Sequence, residues 1–584
     1  MTRIAIVRRD RCSPQACGNY LCIRVCPVNK QGTDCIVKGV DTKAQIIEEI
    51  CIGCNICVVK CPFDAISIIN LPEQLNYSPI HRFGINKYAL YSFPTPIFGK
   101  VVGIVGMNGI GKTTAIKILA GLLQPNLGET AAVDYKRILN FFKGTETQAF
   151  FEKVKQDKIK ISYKPQHVDL IPKTTNGKVI DLLKKVDEKN QIENIAELLG
   201  IQSILQHDIK QISGGELQRV AIAATVLKKA NLYVFDEPTS YLDINQRLRV
   251  ARFIKDLADE ETAVIVIEHD LIALDYMADI IHIMYGREGC FGIVSQPKSA
   301  KSGLNTYLEG FLKEENMRFR DIPIKFEIKA PFTTARKQCL TSWNDFSKQL
   351  DKFKLSVTAG ELYKQEIVGI LGQNGIGKTT FVKILAGIME PDDSKIDMKV
   401  KVSYKPQYIE NTSEELVINI LQRAIAEHSN DIIKPLELEP LFTKQINQLS
   451  GGELQRVAIA ECLARDANLF LLDEPSAYLD VEQRLSLSKI MRNLVETSSI
   501  TLLVVDHDLL FLDYLSDRLL VFTGTPSLAG DSQGPFAMEK GMNTLLKEVD
   551  ITLRRDEFSG RPRINKPGSQ LDREQKQTGK YYYG

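Results

Sequence analysis

Six short runs of β-branched and aliphatic residues alternate with longer stretches patterned at the helical period: Val101–Val105, Leu232–Phe235 and Ala263–Ile267, then Ile367–Leu371, Leu469–Leu472 and Ile500–Val505. That alternation predicts α/β units around a mostly parallel sheet in each half of the chain. Between Tyr135 and Lys160, Phe141, Phe142, Phe150, Phe151 and Val154 recur at near-helical spacing among lysines and are interrupted by Gly144, which predicts a small helix–loop–helix. No apolar run reaches the length of a membrane span. The longest, around Ile265 and Val504, are broken by Glu268, His269, Asp506 and His507.

The runs belong to an internal repeat. Gly106-Met-Asn-Gly-Ile-Gly-Lys-Thr-Thr114 returns as Gly372-Gln-Asn-Gly-Ile-Gly-Lys-Thr-Thr380 at an offset of 266, whereas Ser213-Gly-Gly-Glu-Leu-Gln218 and Asp236-Glu-Pro238 return as Ser450-Gly-Gly-Glu-Leu-Gln455 and Asp473-Glu-Pro475 at 237. At the paired Tyr-Lys-Pro-Gln segments ending at Gln166 and Gln407 the offset is already 241. The first copy therefore carries about 25 extra residues after Thr114, and the predicted helix–loop–helix at about 135–160 accounts for them. Gly303-Leu-Asn-Thr306 after the first copy is echoed by Gly541-Met-Asn-Thr544 after the second, so two related connectors follow the two copies.

Length and composition then set limits. A chain of 584 residues exceeds one hydrophobic core, and 44% hydrophobic with 25% charged residues is globular composition. The net charge of +2 leaves no global field, so binding to a polyanion rests on local patches. Arg554–Lys580 holds eight Lys/Arg against four Asp/Glu, and Asp134–Lys160 seven against four. Charges within Met1–Asp10 replace the apolar stretch of a signal peptide, which predicts a cytoplasmic protein with no membrane partner. Nine of the twelve cysteines lie in the first 61 residues, the pattern of metal ligation in a reducing compartment. Cys290, Cys339 and Cys462 are isolated and read as small buried hydrophobes. The terminal Tyr581-Tyr-Tyr-Gly584 reads as a disordered tail.

The repeated glycine-rich segment follows an apolar strand and opens a helix, as a phosphate loop requires. Backbone N–H groups of Gly106–Gly111 face phosphates, Lys112 neutralises charge and Thr113 offers a hydroxyl to Mg2+; Gly372, Gly377, Lys378 and Thr379 repeat each element. The strands ending in Asp236-Glu237 and Asp473-Glu474 bring carboxylates to the same edge, the aspartates suited to Mg2+ and the glutamates to polarising the attacking water. His269 and His507 end the next strand in a shared x-His-Asp context, as a switch histidine does.

These residues resemble the ABC ATPase superfamily over roughly 80–290 and 350–530, through the signature matched by Ser213-Gly-Gly-Glu-Leu-Gln218 and Ser450-Gly-Gly-Glu-Leu-Gln455. The resemblance implies an ATPase with two composite sites in cassettes that face head to tail, each signature capping the γ-phosphate held by the opposite phosphate loop. It implies ATP contacts from Asn108, Gly109, Gly111, Lys112, Thr113, Thr114, Gln166, Ser213 and Gly215, and from Asn374, Gly375, Gly377, Lys378, Thr379, Thr380, Gln407, Ser450 and Gly452. Mg2+ falls to Thr113, Gln166 and Asp236 and to Thr379, Gln407 and Asp473; Glu237, Glu474, His269 and His507 are catalytic. Asp243 and Asp480 match the D-loop, and Tyr88 and Phe353 are placed to stack on adenine, with Tyr91 a neighbour of the first.

Ahead of the cassettes, Cys51-x2-Cys54-x2-Cys57-x3-Cys61-Pro62 has the ferredoxin spacing for a 4Fe-4S cluster, in which the fourth cysteine serves the other cluster. Its partner is Cys12-x4-Cys17-x4-Cys22-x3-Cys26-Pro27, so one cluster takes Cys12, Cys17, Cys22 and Cys61 and the other Cys51, Cys54, Cys57 and Cys26, with Cys35 left over. Cys-x2-Cys pairs also hold zinc, but four in a run with Cys-Pro at both ends favour iron–sulfur. Without a flavin or nicotinamide motif, a structural or mechanical role for the clusters is favoured over redox catalysis.

The order of parts resembles, across the whole chain, subfamily E of the ABC proteins, the RNase L inhibitors or ribosome-recycling ATPases of archaea and eukaryotes. The expected fold is therefore α/β: two tandem ABC-type ATPase cassettes arranged head to tail, with an N-terminal ferredoxin-like iron–sulfur domain. The expected divisions are a head at 1–75, a first cassette at 76–292, a connector at 293–345, a second cassette at 346–530 and a C-terminal hinge with a basic tail at 531–584. The resemblance implies ATP, Mg2+ and two 4Fe-4S clusters in a monomer that splits ribosomes after termination or stalling. Its implied partners are small-subunit RNA and protein, a release-factor or Pelota-like factor, and initiation factors. Three other readings fit parts of the chain: a repair-type ATPase remodelling nucleic acid lacks its coiled coil here, a tandem F-type translation factor lacks the cysteine head, and a transporter's detached ATPase pair leaves head and tail unexplained.

Overall fold

The computed structural model describes residues 3–70, 78–129, 133–326, 338–393, 400–409 and 411–582. The expected boundary near residue 75, part of the connector at 327–337 and the last two residues lie outside them.

Two large mixed sheets organise the chain. In the first, the strands run in the order Ile161–Lys164, Leu232–Asp236, Ala263–Ile267, Val101–Val105 and Ile280–Arg287, all parallel, and the antiparallel Phe291–Val294 continues the sheet. The second repeats it with Val402–Lys405, Leu469–Asp473, Thr501–Val505, Ile367–Leu371 and Arg518–Thr525, then the antiparallel Ala529–Ala537. Every residue of the central strands is buried, which is why they read as unbroken apolar runs: a parallel sheet is covered by helices on both faces. The strands carrying the phosphate loop and Asp236-Glu237 sit on either side of Ala263–Ile267, so their C-terminal ends open onto one edge.

The insertion forms two helices, Tyr135–Phe141 and Glu146–Lys155. Phe142 and Phe151 anchor them against Phe93, with Phe150 edge-on to Phe151, while Lys136, Lys143, Lys153, Lys155, Lys158 and Lys160 face outwards. In the head, Arg3–Val7 pairs antiparallel with Ile66–Asn70, and the short helices Leu21–Val25 and Ile56–Lys60 pack together. The buried Asn86 side chain ties the head to the first cassette. It donates to the carbonyls of Ala5 and Ile46 and accepts from Ile46 N. Beside it Arg82 grips Glu48 through both terminal guanidinium nitrogens, at 2.9 and 2.5 Å.

Each connector reaches across to the other cassette. Arg320 of the first pairs with Glu482, two residues past Asp480, and Arg563 of the second makes a two-pronged bond to Asp275, six residues past His269. Arg561, fully buried, adds an ion pair to the same carboxylate at 3.4 Å. The arginines that made the C-terminal segment read as a loose basic patch are thus partly structural. The disordered reading of its end is corrected too: Tyr582 is buried, its backbone N–H donates to Asn543 and its hydroxyl reaches Asp513, because the aromatic ring completes the core under Leu553. Cys290 and Cys462 are buried as expected, but Cys339 is exposed at the outer end of the two-stranded pairing Cys339–Trp343 with Gly360–Tyr363, whose buried residues Trp343 and Leu362 lie further along. Asp275→Ala strands the Arg561 charge in the interior, a loss of about 3–5 kcal/mol for a broken buried pair, and lowers the melting temperature measurably. An unchanged melting curve contradicts that role.

Candidate functional site

Each phosphate loop begins where a buried strand ends and closes on a helix, Lys112–Leu119 or Lys378–Leu385. Gly111 and Gly377 sit at φ of +87° and +94°, and a Cβ on Gly111 would lie 1.9 Å from the Tyr88 hydroxyl. Only glycine fits both the backbone and that approach. The Tyr88 hydroxyl also donates to Ile110 O at 2.7 Å, and the Phe353 ring lies against Gly377 in the same way. Tyr91, by contrast, is buried among the residues packed against the head strand. The structure therefore places Tyr88 and Phe353, and not Tyr91, beside their loops.

Lys112 is buried and donates to the carbonyls of Gly106 and Met107, and Lys378 to those of Gly372 and Gln373. Burial lowers Lys378 to about 8, against the pull of Glu474, Asp243 and Asp473. Asp236 and Asp473 lie buried beneath, facing Thr113 and Thr379. Burial pushes Asp473 up to about 6, opposed by Thr379 and reinforced by Glu474. One oxygen of Asp236 and both of Asp473 lack a hydrogen-bond partner. A buried carboxylate so placed fits a divalent cation, and Thr113 and Thr379 would complete the oxygen set for Mg2+.

The next carboxylate along is held differently. Gln166 donates to Glu237 Oε1 at 2.8 Å and His269 Nε2 lies 3.5 Å from the same atom; Gln407 and His507 repeat this at 2.7 and 3.5 Å around Glu474. Burial would raise Glu474, but His507, Gln407 and Lys378 hold it down at about 2, so it stands ready as an anion. Glu237 is likewise at about 2, with His269 and Lys112 outweighing burial. The sites are not identical: Ser240 Oγ also donates to Glu237 at 3.3 Å, where the second copy has Ala477.

The cassettes face head to tail at these loops. Asn108 N donates to Asp480 at 2.9 Å and Asn374 N to Asp243 at 3.0 Å, each across the interface. Ser213 and Ser450 cap the helices Gly214–Val226 and Gly451–Leu463 in capping boxes with Glu216 and Glu453. Gly451 and Gly452 pack on Tyr478, and Gly214 and Gly215 on Tyr241, in the segments that carry Asp480 and Asp243 to the opposite loop. The Tyr241 and Tyr478 hydroxyls meet at 3.4 Å between the sites. Sequence reasoning missed the buried carboxylates Glu268 and Asp506. Glu268 takes bonds from Thr239 N and Oγ and from the backbone of His269 and Asp270, and Asp506 from Ser476, His507 and Asp508. The signal was an acidic residue before His in both copies.

In the head, the cysteines lie within one another's electrostatic reach. Burial and the charges of Cys12 and Cys17 push Cys22 up to about 11, and burial with Cys51, Cys54, Cys22 and Cys26 pushes Cys57 up to about 12. Thiols that resist ionising in each other's company fit a cationic cluster that deprotonates them on binding. Cys35, buried beside Cys26 and Cys51, is pushed up to about 12. Cys61 accepts from Ala65 N at 3.4 Å. Among the described residues no three such side chains close to the distances a lone ion requires.

Cassettes that engage each other's phosphate loops, behind a ferredoxin-like head, define a tandem ABC-type ATPase with an iron–sulfur domain. The ABC transporter family matches at 98–240 and 355–477, the possible Fer4-like domain in RNase L inhibitor at 2–34 and the 4Fe-4S binding domain at 44–67. ABC transporter E family member 1 of Arabidopsis thaliana is 43% identical over 100% of this chain and 99% of its own, and translation initiation factor RLI1 of Saccharomyces cerevisiae 42% over 100% and 98%. A solved structure of ribosome-bound archaeal Pelota and ABCE1 matches at 50% identity, covering 100% of this chain and 99% of that one with a TM-score of 0.95. The chain belongs to the E family of ABC proteins. Among the described residues no helix is long and apolar enough to cross a membrane.

Proposed function

We propose that this ATPase recycles ribosomes: closure of the two cassettes on ATP moves the head and parts the subunits after termination or stalling. The observation that carries the reading is the pairing of two sets of contacts. Asn108 to Asp480 and Asn374 to Asp243 make each ATP site depend on both cassettes, while Asn86 and the Arg82–Glu48 pair fix the head to one of them. Any change in the cassette interface therefore displaces the head relative to the second cassette. The ribosomal assignment draws on relatives. One is described bound with Pelota on the ribosome, another, an archaeal ribosome recycling factor 50% identical to this chain, with the stalk protein aP1.

In this account Lys112 and Lys378 neutralise the phosphates, and the loops' N–H groups orient them. Ser213 and Gly215 serve the second loop and Ser450 and Gly452 the first. Gln166 and Gln407 sense the nucleotide and contribute to the metal site. Glu237 and Glu474, ionised and aimed by His269 and His507, orient the attacking water. Mg2+, held by Asp236 with Thr113 or Asp473 with Thr379, would draw charge from the β- and γ-oxygens. Tyr88 and Phe353 stack on adenine. Tyr88→Ala weakens ATP binding about tenfold (~1.4 kcal/mol), whereas Tyr91→Ala leaves it unchanged. Titration with a fluorescent nucleotide distinguishes them, and equal effects would reject the assignment.

Two 4Fe-4S clusters, on Cys12, Cys17, Cys22 and Cys61 and on Cys51, Cys54, Cys57 and Cys26, stiffen the head. It meets a release-factor or Pelota-like protein. The outward lysines of 135–160 and the connectors meet small-subunit RNA and protein, with initiation factors among later partners on the same cytoplasmic subunit. Co-sedimentation with purified small subunits tests this: binding requires ATP and weakens steeply between about 50 and 200 mM salt. Nucleotide-dependent binding to DNA instead would favour a repair-type ATPase.

A further inference from the structure

The backbone of each candidate catalytic glutamate is in an unusual conformation. Glu237 and Glu474 both sit at φ of +48°, in the left-handed region that a residue with a side chain keeps only where its surroundings hold it there. The surroundings do hold it, from both sides of the peptide. Glu237 N donates to Ile267 O at 3.0 Å and Glu474 N to Val505 O at 2.8 Å. On the carbonyl side, Lys164 Nζ donates to Asp236 O at 2.9 Å and Glu237 O at 3.2 Å, and Gln218 Nε2 to Glu237 O at 2.6 Å. The second cassette repeats this: Lys405 Nζ to Asp473 O at 2.9 Å and Glu474 O at 3.5 Å, and Gln455 Nε2 to Glu474 O at 2.7 Å.

All four side chains are 2% exposed or less, so water cannot substitute for any of them. A lysine at zero exposure is rare unless its charge is matched. Here the charge lies beneath two successive peptide carbonyls and within the field of Asp236, Glu237 and Glu268. The elements involved explain the placement. Lys164 and Lys405 end the strands Ile161–Lys164 and Val402–Lys405, which pair in register beside the strands carrying the acidic residues. Gln218 and Gln455 lie one turn into the helices that Ser213 and Ser450 cap.

We propose that Lys164 with Gln218, and Lys405 with Gln455, are positioning residues that lock the Glu237 and Glu474 peptides in the left-handed conformation and so aim their carboxylates at the water. This rests on the reading of those glutamates as catalytic. The glutamine adds a link: the peptide of the glutamate acting at one site is tied to the helix whose first residues act at the other.

Steady-state hydrolysis by the full-length protein tests the clamp, using K164M/K405M and Q218M/Q455M, with E237Q/E474Q as reference. The clamp predicts a fall in kcat of about 10- to 100-fold with KM and fluorescent-nucleotide affinity within about threefold of the unsubstituted protein. It also predicts that adding K164M/K405M to E237Q/E474Q lowers the residual rate no further. Unchanged kcat in folded Q218M/Q455M, or an equal fold-loss from K164M/K405M with and without the glutamates, overturns it. The glutamine variants nearly conserve volume, which keeps the test open if the lysine variants do not fold. Full turnover by E237Q/E474Q would instead reject the catalytic reading of the glutamates, a separate result.

Discussion

Glu237→Gln with Glu474→Gln abolishes most ATP hydrolysis, by about 100-fold or more, while nucleotide still binds. The expected size follows from the role proposed for the carboxylates. Each is held ionised, at about 2, chiefly by a histidine and a lysine, so at neutral pH it can polarise a water without first losing a proton. An amide of the same shape keeps the contacts to Gln166 and His269 but has no charge to offer. Binding survives because Lys112, Lys378 and the loop N–H groups lie on separate elements. Single substitutions separate the two sites. Since each retains lysine, aspartate, glutamate, histidine and signature, either alone lowers turnover, and the Ser240–Glu237 bond makes the first site the one to differ in rate. Two single variants hydrolysing at the full rate would contradict the assignment.

The second large effect lies in the head. With the proposed ligand sets, Cys57→Ser and Cys22→Ser should each remove a different cluster, halving the iron content and the absorbance near 400 nm, and the double variant should remove both. The proposed crossing of the fourth ligands gives a sharper form of the test. Cys61→Ser should match the loss in Cys12→Ser, and Cys26→Ser the loss in Cys51→Ser, although in sequence each stands with the other run. ATP hydrolysis persists in these proteins if the clusters are structural. Paramagnetic resonance of the reduced proteins tells the two clusters apart, and pairing of Cys26 with Cys12 would overturn the ligand sets.

What the sequence disclosed and what it withheld divide along physical lines. The phosphate loops, the acidic strand ends and the signatures were legible because their chemistry demands fixed residue types at fixed spacing. The buried strands were legible because a parallel sheet leaves no polar face. Contacts made by one long side chain reaching another element's backbone left no periodic trace. Lys164 was visible only as a letter in a repeated Tyr-Lys-Pro-Gln, and Gln218 only as the end of a signature, until folding placed both on one carbonyl. Asn86 lies in an unremarkable stretch, yet it fixes the head. The arginines of 554–580 misled in the other direction: their local excess marked a patch for a polyanion, while Asp275 and Asp556 draw Arg561 and Arg563 inside.

The connectors give the clamp its mechanical sense. Arg320 reaches Glu482 beside Asp480, and Arg563 reaches Asp275 on the helix Leu271–Met277 that begins just past His269, so each lies near a residue of the proposed ATP sites. Sedimentation of purified ribosomes on sucrose gradients, with the protein, ATP and termination factors, tests the central claim most directly. Recycling predicts that the intact ribosome peak is replaced by separate subunits with the unsubstituted protein and persists without ATP. Intact ribosomes that persist under all of these conditions would contradict it.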